Sequence, residues 1–209
     1  MPRGPETKAR PAILFDLGGV LIDWNPRHVY RALFEDEAAM EHFLATVCMV
    51  PWNHAIDAGR PFGEAVRELQ AEHPEYADLI GLWHSRWGDM LKGPVAGTVD
   101  VLRELKAQGL ALFALTNWSA ETFPLARERY DFLSWFSRIV VSGEVKLAKP
   151  DPAIFRLALR ECGLVAGETL FIDDVLVNVE TARSLGMEAI HFLDPVPLRA
   201  DLVRRGLLS

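Results

Sequence analysis

Residues 15–21 read Phe15-Asp16-Leu17-Gly18-Gly19-Val20-Leu21. Just upstream, Ala12 to Phe15 is a short unbroken apolar run, the pattern of a strand buried on both faces. An acid therefore stands at the end of a buried strand, with two glycines close behind it. Glycine permits a tight turn and lets a ligand approach the backbone closely. The stretch thus sets a carboxylate beside bare N–H groups able to hold an anion. On these residues alone, Asp16 can equally be a cap for the turn that follows.

Similar apolar runs recur along the chain, most with polar residues at their ends. Leu110–Leu115 leads into Thr116 and Asn117, and Ile139–Val141 into Ser142. Leu170–Ile172 leads into Asp173 and Asp174, and Ala189–Phe192 ends near Asp194. Helical patterns lie between them. Thr98 is placed to cap a helix carrying Val99, Leu102 and Leu105, with Gly109 as its stop. Asp151-Pro152 offers an acidic cap followed by proline at the first helical position. That helix carries Ile154, Leu157 and Ala158 and ends at Gly163, and a further one, Leu176–Leu185, stops at Gly186. Alternating strand and helix predicts an α/β fold with a doubly wound parallel sheet, Rossmann-like, whose polar strand ends face a ligand crevice.

One connection is far too long for a simple crossover. About eighty residues separate the first strand from Thr98, where connecting loops usually take about 2–6. Their spacing is helical: Tyr30, Leu33 and Phe34; Phe62, Val66 and Leu69; Leu79, Leu82, Trp83 and Trp87. Residues 23–91 are therefore expected to form an inserted helical cap. Residues 1–22 and 92–209 would form the core, with 1–11 a flexible tail. Hinges are expected near Asp23 and Gly93-Pro94.

Composition narrows the function classes. The 209 residues are 50% apolar and 24% charged, an ordinary globular balance. Against 22 basic residues stand 29 acidic ones, giving a net charge of −7. That argues against a general nucleic-acid or anionic-membrane binder, though not against one local anion site. Cys48 and Cys162 have no metal-site spacing and suit a reducing cytoplasm. No apolar run approaches the ~20 residues of a membrane helix. A monomer is expected, with a dimer through apolar cap residues as the alternative.

The chemistry lies at the strand ends. If the strand ending in Asp173-Asp174 neighbours the one ending in Asp16, three carboxylates converge and repel. A hard divalent cation such as Mg²⁺ relieves that, whereas the pair can also be loop acids capping the next helix. Lys149, ahead of a helix start, is a point charge able to neutralise Asp16 and a phosphoryl group, or a surface lysine. Thr116 and Asn117 can hydrogen-bond an anion or form a turn. Each fragment is ambiguous; their order and spacing together are not.

That order resembles the haloacid dehalogenase-like superfamily of hydrolases over nearly the whole chain. Phe15 to Val20 resembles its first motif and Leu115-Thr116-Asn117 its second. Lys146 to Phe155 resembles the third, and Phe171 to Asp174, continuing to Gly186-Met187, the fourth. The insertion resembles the helical cap of the subgroup holding haloacid dehalogenases and small-molecule phosphatases.

The resemblance implies that Asp16 is a nucleophile forming an aspartyl intermediate. Thr116 and Lys149 would be catalytic groups offsetting developing charge. Leu17, Gly18, Thr116, Asn117 and Lys149 would hold the transferred group. Mg²⁺ would sit on Asp16, the Gly18 carbonyl and Asp174, with Asp173 acting through water.

One position departs from most phosphatases of that family, which usually carry a second aspartate where this chain has Gly18, although some carry glycine there. Such an acid protonates the leaving oxygen and is worth about 10²–10⁴-fold. A Mg²⁺-dependent phosphatase of a small phosphorylated metabolite is the first expectation, because the acids Asp173 and Asp174 are retained. A carbon–halogen hydrolase is the alternative, since halide leaves without a proton, but that branch favours tyrosine where Gly18 stands. A weakened binding or regulatory protein is the third. Trp24, Trp52 and His54 are candidates to contact the leaving group, and His54 or His28 to replace the missing acid.

Overall fold

The structure, a computed structural model, describes residues 10–209. Residues 1–9, most of the expected tail, lie outside the described residues. The strands are β1 (Ala12–Phe15), β2 (Ile22–Trp24), β3 (Leu91–Pro94), β4 (Leu112–Thr116), β5 (Arg138–Val141), β6 (Thr169–Asp173) and β7 (Glu188–His191). Five of them form one parallel sheet in the order β5-β4-β1-β6-β7. The chain runs outward from β1 to β5 and then returns to β1's other side, so the order reverses at β1. Ligands of open α/β sheets bind at such a point, beyond the carboxyl ends of the strands. Asp16 follows β1 and Asp173 ends β6, its neighbour.

Between β2 and β3 lie α1 (Arg27–Tyr30), α2 (Glu37–Thr46), α3 (Val50–Asp57), α4 (Phe62–Glu72) and α5 (Ala77–Ser85). After β3 come α6 (Ala96–Ala107), α7 (Phe123–Arg129), α8 (Ser142–Val145), α9 (Pro152–Cys162), α10 (Leu176–Ser184) and α11 (Pro195–Arg204). Alternation along β1 explains the two wound faces. Leu14 packs with Ile154, Phe155 and Val179 of α9 and α10. Ile13 and Phe15 pack with Leu102, Leu105 and Leu202 of α6 and α11. Full burial of such side chains contributes about 1.5–3 kcal/mol each. Asp151 caps α9 as expected, accepting from the Ala153 N–H at 2.8 Å, and Gly163 ends it in the left-handed conformation.

Some local expectations are corrected. Thr98 does not cap α6: the helix starts at Ala96, and the Thr98 N–H already bonds to the Val95 carbonyl at 2.9 Å. The second core strand starts at Leu112, not Leu110, because the Leu110 N–H is held by Leu105 at the end of α6. Tyr30, Leu33 and Phe34 do not share a helix: α1 is a single turn, and Phe34 folds back against the Phe43 ring at 5.5 Å. Trp87 leaves the helix of Leu79 and Trp83, since α5 stops at Ser85. A tight turn then carries Trp87 to Trp118 of the core, ring centres 5.2 Å apart. Helices α2, α3 and α11 had no separate signature among the apolar spacings.

The helical insertion has its own aromatic centre, in which Tyr30 lies 5.2 Å from Phe43 and 5.9 Å from Trp83. Its two crossings pair with each other as an antiparallel ribbon, Asp23 opposite Gly93. The insertion also touches the core directly: Glu121 accepts from the Phe62 N–H at 2.7 Å, and the Ser142 hydroxyl donates to the Asp57 carbonyl at 2.5 Å.

Candidate active site

Lys149 is the centre of the site. Its side chain is buried, with Nζ 2.9 Å from Asp16 Oδ1 and 2.7 Å from Asp173 Oδ2. Burial pulls the ammonium's pKa down, but the two carboxylates outweigh that and hold it above the ordinary lysine value. Its backbone is clamped as well. Asn117 donates to the Lys149 carbonyl at 2.9 Å and accepts from its N–H at 2.8 Å. The His54 ring donates from Nε2 to the same carbonyl at 2.8 Å.

The acids are arranged unequally. Asp173 is fully buried and already engaged: Oδ1 accepts from the Val175 N–H and from Asn178, and Oδ2 from Lys149. Asp174 is exposed to the crevice. Asp16 accepts from the Leu17 N–H at 2.7 Å, so that amide serves the carboxylate itself. Burial chiefly, with Asp173 and Asp174 adding to it, pushes Asp16 from 3.8 up to about 7 against the opposing pull of Lys149. Asp174, though open to the crevice, is also raised, by partial desolvation among its neighbours and then by Asp173.

Three carboxyl groups thus face one ammonium, and each of Asp16, Asp173 and Asp174 offers an oxygen within 4.8 Å of the others. All-oxygen donors at this separation, with charge left uncompensated, fit a small hard cation such as magnesium. Asp16 and Asp174 have oxygens to spare for it; Asp173 has neither oxygen free.

Gly19 makes this packing feasible. Its φ is +75°, and a Cβ there would come 2.3 Å from Asp174 Oδ2. Gly18 is the opposite case, since a Cβ on it would meet nothing within 4 Å. Thr116, at the end of β4, is wholly buried and its hydroxyl has no partner among the described residues. An unmet buried hydroxyl costs about 1–3 kcal/mol, so it suits an anion's oxygen.

A cavity of about 520 Å³ has Asp16, Gly18, Asn117, Lys149 and Asp174 in its floor, whereas the fully buried Thr116 and Asp173 are not in its wall. The insertion supplies much of the rest, including Trp24, Val50, His54, Asp57 and Trp87, and Trp118 joins them from the core. Trp24 and His54 therefore line the cavity. Trp52 does not: it is buried in the insertion, donating to the Ala65 carbonyl at 3.2 Å, with its ring 5.5 Å from Trp83. His28 is turned to Asp23 at 3.0 Å and is not in the cavity wall. Leu17 is buried beneath the floor. Trp87, Trp118 and Asp57 were missed. Only Asp57 left a faint signal, an acid four residues after Asn53 and just ahead of Gly59.

Burial raises the Asp57 carboxyl from 3.8 to about 7, offset in part by the Ser119 backbone amide and by Lys149. Its place at the carboxyl end of α3 works in the same direction, because helix C-termini disfavour anions.

The class this fold and site define is a doubly wound α/β protein with a cluster of acids around one lysine at the carboxyl ends of its strands. The haloacid dehalogenase-like hydrolase family matches residues 11–186, and the chain belongs to it. A sesquiterpene phosphatase from Aspergillus oryzae is 29% identical over 91% of this chain and 94% of its own. A phosphorylated carbohydrates phosphatase from Thermotoga maritima is 26% identical over 86% of this chain and 83% of its own. Other relatives are longer proteins, and the chain spans 18% and 8% of two of them. Among solved structures, a family enzyme from Bacteroides thetaiotaomicron in complex with magnesium and inorganic phosphate superposes with a TM-score of 0.63. It is 21% identical over 88% of this chain and 95% of that one. No described helix is long and apolar enough to cross a membrane.

Proposed function

We propose that the protein is a magnesium-dependent phosphomonoesterase of a small phosphorylated metabolite, acting through an aspartyl-phosphate on Asp16. The observation that carries this is the Asp16–Lys149–Asp173–Asp174 cluster at the reversal point of the sheet. Residues 23–91 would act as a cap on a core of 1–22 and 92–209, in keeping with the cavity formed between them. The relatives named phosphatases, and the magnesium and phosphate in the Bacteroides enzyme, support the same reading. The free thiols of Cys48 and Cys162 suit a cytoplasmic setting.

In this scheme Asp16 attacks phosphorus, and Lys149 and the Thr116 hydroxyl hold the phosphoryl oxygens as charge shifts onto them. Magnesium, held by Asp16, the Gly18 carbonyl and Asp174, would supply electrostatic neutralisation of the phosphoryl group. Asn117 and His54 fix the Lys149 backbone, and Asn178 and Val175 fix Asp173. The Trp24, Trp87 and Trp118 walls favour an ester whose alcohol part has apolar surface. The name of the Aspergillus oryzae relative agrees with that preference.

Phosphate release from a panel of phosphate esters, with magnesium against chelator and Asp16→Asn as control, tests the proposal. Release that needs magnesium and is abolished in the variant is expected. Chelator-insensitive release, or halide release from 2-haloacids without phosphate release, overturns it.

A further inference from the structure

We propose that Asp57, from the helical insertion, is the proton donor to the leaving oxygen, acting across the cavity in place of the side chain that Gly18 lacks. The proposal rests on the phosphomonoesterase reading of the same site.

The residues of the cavity wall leave little choice. Its groups able to hold or release a proton are Asp16, Asp174, His54, Asp57, Lys149 and Arg27. Asp16 is the attacking group and Asp174 is placed for the cation. Lys149 is spent between two carboxylates. Arg27 keeps its proton and is engaged with Glu41 through both Nε and a terminal nitrogen, each at 2.5 Å. His54 spends its Nε2 hydrogen on the Lys149 carbonyl, because a carbonyl can only accept, and this holds the ring against the core backbone. Asp57 is the carboxyl that remains.

N–H donors from Asn53 and Ser119, with Lys149, favour the Asp57 carboxylate, but burial outweighs them and the carboxyl keeps its proton toward neutrality. The Trp83 indole donates to Asn53 Oδ1 at 3.1 Å, which turns the Asn53 amide nitrogen toward Asp57 Oδ2 at 2.9 Å. The carboxyl is thereby oriented from the aromatic centre of the insertion. The Asp57 carbonyl is tied to the core by Ser142. The charged group facing it is Lys149, and His54 of its own helix shares the cavity wall with it. Burial still raises it to about 7, the range in which an acid is both protonated and ready to give its proton.

The proton balance closes. Asp16 forms a bond to phosphorus as the ester P–O bond breaks, and the Asp57 proton goes to the departing oxygen, releasing the alcohol. Water then attacks the aspartyl-phosphate. Its proton goes to the Asp57 carboxylate, the Asp16–phosphorus bond breaks, and inorganic phosphate leaves.

The test compares Asp57→Asn with wild type on phenyl phosphate, whose phenol has a pKa of about 10, and on 4-nitrophenyl phosphate, whose leaving group departs as the anion unaided. Asp57→Asn is expected to lose about 10²–10³-fold in kcat on phenyl phosphate and less than tenfold on the nitrophenyl ester. The alkaline limb of the wild-type pH profile should vanish with it. Since position 18 has open space for a side chain, Gly18→Asp in the Asp57→Asn background should regain at least tenfold on phenyl phosphate. Equal losses on both esters, no loss on either, or a variant that keeps the alkaline limb overturns the assignment to Asp57. A wild-type protein that hydrolyses neither ester with magnesium present overturns the phosphomonoesterase reading, and this proposal with it.

Discussion

The carboxylate of Asp174 occupies the space that any side chain at position 19 would need: a Cβ on Gly19 would lie 2.3 Å from Asp174 Oδ2. The backbone after β1 and the acid after β6 are thus packed against each other with no atom to spare. Gly19→Ala is expected to push Asp174 away from Asp16 and to strain a backbone at φ +75°. Magnesium affinity should fall at least tenfold by calorimetry, and stability by about 1–3 kcal/mol in urea. Unchanged affinity would show that Asp174 is not needed by the cation.

Lys149→Met removes the one ammonium among three acids. Deleting one partner of a buried ion pair costs about 3–5 kcal/mol, so a large drop in Tm is expected without metal. Added magnesium should raise the variant's Tm more than the wild type's, because it restores positive charge in the same place. Phosphate release should be lost in either case.

Thr116→Val separates catalysis from folding. Its hydroxyl is buried and has no partner among the described residues, so removing it relieves an unmet polar group. Stability should stay equal or rise by up to about 1 kcal/mol, while kcat falls about tenfold or more. A destabilised variant would mean that the hydroxyl is bonded within the fold.

His54→Ala deletes one of two hydrogen bonds to the Lys149 carbonyl, and Asn117 keeps the other. A loss in kcat of less than about tenfold is expected, with the pH profile unmoved. A profile that loses a limb would make His54 a proton donor and count against Asp57.

Asp57 also has a stability signature. Its unfolded value is near 3.8 and its folded value about 7. Between these the folded state keeps a proton that the unfolded state has lost, so Asp57's contribution to stability falls as pH rises from 4 to 7 and is flat above. At about 1.4 kcal/mol per pH unit the ceiling is ~4 kcal/mol. Asp57→Asn escapes this, so its gain in Tm over wild type should be larger at pH 8 than at pH 5. An equal difference at both would place Asp57 at an ordinary carboxyl value.

Much of the core was legible in short-range terms. An unbroken apolar run ending in Asp16 marks a strand of a covered sheet, and Asp151-Pro152 marks a helix start, because burial periodicity and capping act within one or two turns. The ordering of Asp16, Thr116, Lys149 and Asp173-Asp174 along the chain then pointed to a single crevice, since parallel strands present their carboxyl ends on one side. The insertion was legible as helical but not in its orientation. Trp52 and Trp87 are alike as residues, yet Trp52 packs inward against Trp83, while a turn after Ser85 carries Trp87 to the cavity. Asn117 read as a group for an anion, and His54 as a contact to the leaving group or a replacement acid; the fold also ties both to the Lys149 backbone, which no local pattern announces. Asp57 looked like any surface acid. Its high pKa comes from the core closing over the end of α3, a long-range desolvation that no local pattern of residues encodes.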